Sequence, residues 1–239
     1  MEARLEPPSS AHWLGTDNFG RDLWSRVAFG ARISLTIALT SVAAGLLLGT
    51  LVGLASGYFG GFVDQILMRI VDLFLAFPPF ILALALVAVL GPGVWSVVIA
   101  LTAIFWTEYA RLVRAVTLAE ARREFVEAAR SLGASHVNLM FRQILPRAFG
   151  PLAVLATLGI GTAIVAESGL SFLGFGVEPP APTWGWTLAY GMRYLRSHPW
   201  LSMAPGLAIA VTVLGFNLLG DGLRDRFDPR GLAQTTSSA

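Results

Sequence analysis

Apolar positions in this chain run in long unbroken blocks rather than in alternation. Between Arg32 and Asp64 lie 31 residues without a charge. About 20 apolar residues carry a helix across the hydrocarbon core of a bilayer, so the pattern predicts a first membrane helix over Ile33–Tyr58. A second uncharged block, Leu73–Thr107, is 35 residues long and is interrupted by Gly91-Pro92-Gly93. That triplet is a turn signal, and the block reads as a helical hairpin over 73–90 and 94–112. A fourth span is expected over 149–173, carrying a single acid, Glu167, and a fifth over 200–220. The expected fold is an all-α integral membrane protein with about five transmembrane helices.

Composition agrees with the pattern. Of the 239 residues 55% are hydrophobic and 13% charged, and the mean hydropathy is +0.66. A soluble domain carries about 25% charged residues, so this chain lacks the charge to cover a water-facing surface. Cysteine is absent, which removes disulfides, thiolate metal sites and cysteine nucleophiles. All 17 basic residues are arginine. Without lysine there is no Walker-type phosphate loop and no Schiff-base chemistry, so any ATP hydrolysis must be the work of another chain. The arginines flank apolar spans instead of forming an extended patch, which argues against nucleic acid as a partner. Membrane lipid is the expected neighbour.

Arginine placement also sets an expected orientation. With the segment 108–147 on the cytoplasmic side, Arg111, Arg114, Arg122, Arg123, Arg130, Arg142 and Arg147 lie inside, joined by Arg69, Arg224, Arg226 and Arg230. The C-terminus is then cytoplasmic. Arg4, Arg21, Arg26 and Arg32, ahead of the first span, oppose this assignment. Residues 1–32 show no apolar signal-peptide core and read as an extracytoplasmic interfacial leader. In it Thr16-Asp17 is expected to cap a helix from about Asn18, with Asp22 and Arg26 as an i,i+4 ion pair. Phe19, Leu23, Trp24 and Val27 would form one apolar side, with Trp13 and Trp24 at headgroup depth. Residues 33–220 form the expected membrane domain and 221–239 a tail, disordered at 235–239.

The segment 108–147 is long for a plain connection, and loops of that length usually carry function. A helix is expected over Leu118–Leu132, supported by Glu120–Arg123 and Arg123–Glu127 pairs. Phe125, Ala128, Ala129 and Leu132 fall at i, i+3, i+4 and i+7 and form an apolar stripe, kept shallow by its alanines. Gly133 stands where a left-handed C-cap is needed and Ser135 where a new helix starts. Leu145-Pro146 is expected to stop that helix and turn the chain into the membrane. The product is a helix–turn–helix whose stripe needs a partner protein to cover it.

Glu127-Ala128-Ala129, Gly133 and Ile144-Leu145-Pro146 resemble the EAA loop of bacterial ABC-importer permeases. One departure is that Gln143 stands where the family usually has isoleucine, with Ile144 abutting Leu145. His12-Trp13-Leu14-Gly15-Thr16-Asp17, Gly57-Tyr58-Phe59-Gly60-Gly61, Asp72-Leu73-Phe74-Leu75-Ala76-Phe77-Pro78 and Glu167-Ser168-Gly169-Leu170-Ser171-Phe172-Leu173-Gly174 are similar to the dipeptide/oligopeptide and nickel branch. The likeness runs from about residue 12 to residue 230. It implies a permease subunit of the prokaryotic inner membrane that works by alternating access, with the loop as a cytoplasmic coupling element. It implies as partners a second permease, two ATP-binding subunits that use ATP and Mg, and an extracytoplasmic substrate-binding protein. No cofactor would be bound by this chain, and no catalytic residue is expected. The family core has six helices, and this chain starts where the second is approached; either a natural five-span variant or a start placed too far downstream, the favoured reading, is expected.

Peptide is the favoured cargo under that resemblance, with nickel complexes or glutathione as alternatives. Glu167, an acid inside an apolar span, must face a bundle interior or water and is a candidate for the gate or translocation path, or else a structural pair. Pro78-Pro79 should kink the second span, which makes Pro78 a second gate candidate. The stretch Gly174–Trp200, with Pro179, Pro180, Pro182, Trp184, Trp186 and Trp200, is expected to be external, as an outer gate, a docking surface or a membrane anchor. His12, His136 and His198 are too isolated to hold a metal. An ion-coupled secondary transporter would show paired intramembrane charges or inverted repeats. An intramembrane hydrolase would need a histidine facing Ser168 or Ser171.

Overall fold

The computed structural model describes residues 4–177 and 179–227, and the expected disordered tail at 235–239 lies outside them. Nine α-helices occur among the described residues: α1 (Leu23–Phe59), α2 (Gly61–Leu75), α3 (Pro79–Leu90), α4 (Val94–Glu120), α5 (Glu124–Ser131), α6 (His136–Asn138), α7 (Leu145–Phe172), α8 (Trp184–Met192) and α9 (Trp200–Phe227). A π-helical segment, Leu139–Ile144, joins α6 to α7. Among the described residues four helices are long and apolar enough to cross a membrane: Leu23–Phe59, Val94–Glu120, His136–Phe172 and Trp200–Phe227. A fifth span results if α2 and α3, bent by 87° at their break, are counted as one. The all-α membrane architecture with about five spans is therefore what the chain adopts.

Several boundaries differ from those read in the sequence. The first helix begins at Leu23, not near Asn18, and runs unbroken through the first span. Asp17 does not cap a helix: one carboxylate oxygen accepts the Phe19 and Arg21 amides, and the other accepts Arg21 Nε. Asp22 caps α1 instead, accepting the amide and hydroxyl of Ser25 at 2.8 Å each. It also meets His12 Nδ1 at 3.0 Å, while Arg26 reaches Asp17 at 3.6 Å, so the expected Asp22–Arg26 pair is not made. The apolar side divides: Leu23 and Val27 are buried, whereas Phe19 and Trp24 are exposed. The second span does not start at residue 73; α2 ends at Leu75 and α3 opens on Pro79, at a helical position where proline's missing N–H costs nothing.

The chain packs as two compact units, each built from three stretches of sequence. Of the described residues, the first unit comprises 4–41, 80–101 and those within 160–215. Trp184, 3% exposed, is buried in it at the start of α8. The indole Nε1 donates to the Val27 carbonyl at 2.9 Å. Thr183 caps α8 by accepting the Trp186 amide. Gly185 lies directly on the α7 backbone, where a Cβ would stand 2.6 Å from Ser168 Cα. The leader is held to the same region by Asn18, which donates to the Tyr190 hydroxyl at 2.7 Å.

Of the described residues, the second unit comprises 42–79, 102–159 and 216–227. Its main seam is a row of glycines on α1, Gly45, Gly49, Gly53 and Gly57, set against α4. Lipid tails are as apolar as leucine, so membrane helices associate by close backbone approach, and a four-residue glycine repeat permits it. A Cβ on Gly49 would lie 2.6 Å from the Tyr109 Cβ, and one on Gly57 2.7 Å from that of Thr117. Val71, Trp106 and Ala110 form a buried cluster, with Phe74 edge-on to Trp106 at 5.3 Å. Ion pairs lock α2 to α4. Arg114 grips Asp64 with a two-pronged contact at 2.5 and 2.6 Å, and Arg111 meets Asp72 at 2.7 Å. Ser56 of α1 also donates to Asp64.

Candidate functional site

The segment after α4 is where the sequence-derived candidates concentrate. The expected helix over Leu118–Leu132 is two helices: α4 ends at Glu120 and α5 starts at Glu124. Arg123 is the hinge residue, extended at φ −79°, ψ 146°. Its carbonyl accepts the amides of Val126 and Glu127, so the expected Arg123–Glu127 side-chain pair is replaced by backbone bonds. The Glu120–Arg123 pair does form, at 3.0 Å.

Glu120 is the anchor of this region. Its side chain is 10% exposed and takes Arg147 at 3.1 Å as well as Arg123. Arg147 in turn lies over the Phe125 ring, 4.5 Å from its centroid. One carboxylate thus ties the end of α4, the start of α5 and the start of α7. The sequence pattern placed Glu120 in a local helix pair and Arg147 only among the arginines that set orientation; their pairing was missed because their separation in the chain carries no periodic signal.

The apolar stripe is split by this arrangement. Val126, a position not singled out in the sequence, is the fully buried residue of α5, and Phe125 and Ala129 are half-buried beside it. Glu127, Ala128 and Gly133 face outward, and Leu132 is 89% exposed. Gly133 has φ 85°. Its amide bonds to the Arg130 carbonyl and that of Ala134 to Ala129, the paired hydrogen bonds of a Schellman helix end. Ser135 accepts the Asn138 amide and opens α6. Both turn assignments read from the sequence hold.

Leu145-Pro146 does not stop a helix. A single helical run extends from His136 to Phe172, and Pro146 is accommodated by the wide π turn immediately before it. A proline ring clashes with the carbonyl four residues back in an α-helix; the π turn displaces that carbonyl, and the Leu145 amide bonds five residues back to Met140. Ile144 is fully buried, Leu145 half-buried and Pro146 exposed. Tyr58 braces the same end: its hydroxyl meets His136 Nδ1 at 2.7 Å, and Arg130 lies 5.8 Å over its ring.

The remaining candidates lie elsewhere. Glu167 on α7 is fully buried and accepts the Ser171 hydroxyl at 2.7 Å, with the hydroxyls of Ser34 and Ser168 beside it. Pro78 is exposed at the bend between α2 and α3. The stretch Gly174–Trp200 contains α8, a helix the prolines and tryptophans did not signal.

Leu132 and, at 66% exposure, Val137 make an apolar tip, and Glu124, Glu127 and Arg130 surround it with charge. Residues 45–231 match the family described as binding-protein-dependent transport system inner membrane component, and this chain belongs to it. It is therefore a membrane component of an ABC transport system, a permease subunit.

Among its curated relatives, the dipeptide transport system permease protein DppC of Alkalihalophilus pseudofirmus is 43% identical over 227 residues, covering 95% of this chain and 75% of the relative. The glutathione transport system permease protein GsiD of Pectobacterium atrosepticum is 46% identical over 225 residues, covering 94% and 75%. Among solved structures, the MetNI methionine ABC transporter in an inward facing conformation aligns with a TM-score of 0.67 at 21% identity, over 85% of this chain and 95% of that one. At that identity the likeness speaks for the fold.

Proposed function

We propose that this chain is one of two permease subunits of an ATP-driven importer that carries small peptides across the cytoplasmic membrane. The observation that carries this reading is the shape of residues 124–138: a short helix ended by a left-handed glycine, fastened through Glu120 and Arg147, with Leu132 left bare at its tip. The family relationship supports, as the occupant of that tip, a cleft on an ATP-binding subunit. Phe125, Glu127, Ala128, Ala129, Leu132, Gly133, Ile144, Leu145 and Pro146 form the coupling element, the last three as its root in α7.

In the cycle, closure of two ATPase subunits on ATP draws two such elements together, and hydrolysis releases them. The pore between the permeases then changes its open side. ATP and Mg belong to the ATPases, and cargo comes from an extracytoplasmic binding protein. The coupling element and the C-terminus are cytoplasmic. Glu167 and the bend at Pro78 belong to the gate, as an acid needing polar company inside the bundle and a break that lets a span flex.

Glutathione is the second reading of the cargo, favoured by GsiD relatives at 46–47% identity; a nickel complex is a third that the sequence allows. The test is uptake into vesicles holding the assembled importer, with dipeptides, glutathione and nickel offered in turn. ATP-dependent dipeptide accumulation that Leu132→Asp abolishes, with the subunit still inserted, supports the reading. Accumulation of glutathione alone reassigns the cargo, and uptake without ATP overturns the mechanism.

A further inference from the structure

We propose that the junction of the leader with α1 is a binding site for the phosphate of an acidic phospholipid, held by Arg21, Arg26 and Arg32. This is independent of the transport reading, and its failure would leave that reading untouched.

Arg21 gives Nε to Asp17 at 2.7 Å, and Arg26 reaches the same carboxylate oxygen only at 3.6 Å. Two guanidinium groups thus share one carboxylate that is already bonded to two backbone amides. The Arg26 side chain is only 11% exposed. Asp22, the other acid nearby, is engaged by His12 and Ser25. Arg32 is exposed, lies 5.4 Å over the Phe29 ring, and has no acid within ion-pair reach among the described residues. Three arginines therefore face two occupied carboxylates, leaving one positive charge in excess, and a phosphodiester supplies one negative charge.

The space is present. Arg21, Arg26 and Arg32 line one cavity of about 370 Å³ with Asp22, Ser25, Phe29, Ile33 and Pro182. Its charged lining is the three arginines beside Asp22, the acid that His12 and Ser25 already engage, and its apolar wall is α1, where the uncharged stretch begins at Ile33. That gradient suits a molecule with an anionic head and a hydrocarbon body, and not a free ion. The leader also carries the marks of headgroup depth, with Trp13 and Trp24 exposed at 68% and 49% and in ring contact at 5.8 Å. A basic residue near an anionic membrane surface contributes about fivefold in affinity.

The test uses the full chain, purified with its partner subunits in mixed micelles of phosphatidylglycerol and phosphatidylcholine, with retained lipid counted by native mass spectrometry. Phosphatidylglycerol should be retained in preference. Arg32→Gln should cut that preference about fivefold, and Arg69→Gln should leave it unchanged. Arg32 has no ionic partner to lose, so the variant keeps its fold; unchanged melting confirms this. Equal retention of both lipids, equal loss in both variants (general surface charge), or displacement by excess inorganic phosphate (a soluble-anion site) each overturns the proposal.

Discussion

Gly53 lies so close to Ala110 that a Cβ on it would stand 2.5 Å from the Ala110 carbonyl oxygen. The neighbour is backbone, so nothing can rotate out of the way. Gly53→Val should weaken the α1–α4 seam by roughly 1–3 kcal/mol or prevent folding, as overpacking does. Gly215→Ala, in open space on α9, should be neutral or mildly stabilising because glycine is a poor helix former. Thermal melts of both variants in one detergent check this. Equal melting points would mean that the seam is not as tight as described.

Glu120→Ala should free Arg123 and Arg147 together and leave two guanidinium groups without their shared acid. The expected cost is on the order of 1–3 kcal/mol, concentrated at α5. Amide exchange should rise across Glu124–Ser131 and stay unchanged in α4. Uniform exchange over the chain would show that Glu120 is not the anchor of this region.

At Gly133 the φ of 85° and the amide bonded to Arg130 exclude proline on two counts. Gly133→Pro and Glu127→Lys should each abolish uptake and loosen the ATPase subunits while leaving membrane insertion intact. Full co-purification of the ATPase with both variants would count against residues 124–138 as the coupling element.

Burial pushes the Asp22 carboxyl up, but the Ser25 amide and hydroxyl and the His12 ring outweigh it and hold the group below its ordinary 3.8. Its contribution is therefore complete above that ordinary value and is lost as pH falls through the lower, folded one. Acidification below the usual carboxylate range should release the start of α1, and Trp13–Trp24 fluorescence should report it. Asp22→Ala should flatten that pH response, and a response that persists in the variant would assign the transition to another group.

Glu167→Gln keeps an acceptor for the Ser171 hydroxyl and removes the acid. If Glu167 serves the gate, uptake should fall several-fold with the melting point unchanged. Unaltered uptake would leave it a structural hydrogen-bond partner only.

The spans were readable because a bilayer demands long uncharged runs, and those runs stand in the sequence as blocks. Their ends were not, since a helix such as α1 continues from Leu23 through charged residues before the apolar block begins. The Gly45-Gly49-Gly53-Gly57 repeat was readable as a close helix contact, and it passed unremarked because attention to hydrophobic runs treats glycine as filler. Gly133 and Ser135 were found since each obeys a local rule. Val126 and Arg147 were not, because their importance comes from contacts distant in sequence. Proline's reputation as a helix stop misled at Pro146, since no local rule announces the π turn that accommodates it.

That π turn has a consequence for register. A π-helical turn holds one residue more than an α turn, and each residue of a helix advances the azimuth by about 100°. Deleting a single residue within Leu139–Ile144 would revolve every later side chain of α7 by that angle. Glu167 would then be carried out of its serine pocket into whatever the neighbouring sector offers. The azimuth of the whole membrane-crossing rod is thus set by one surplus residue at its root.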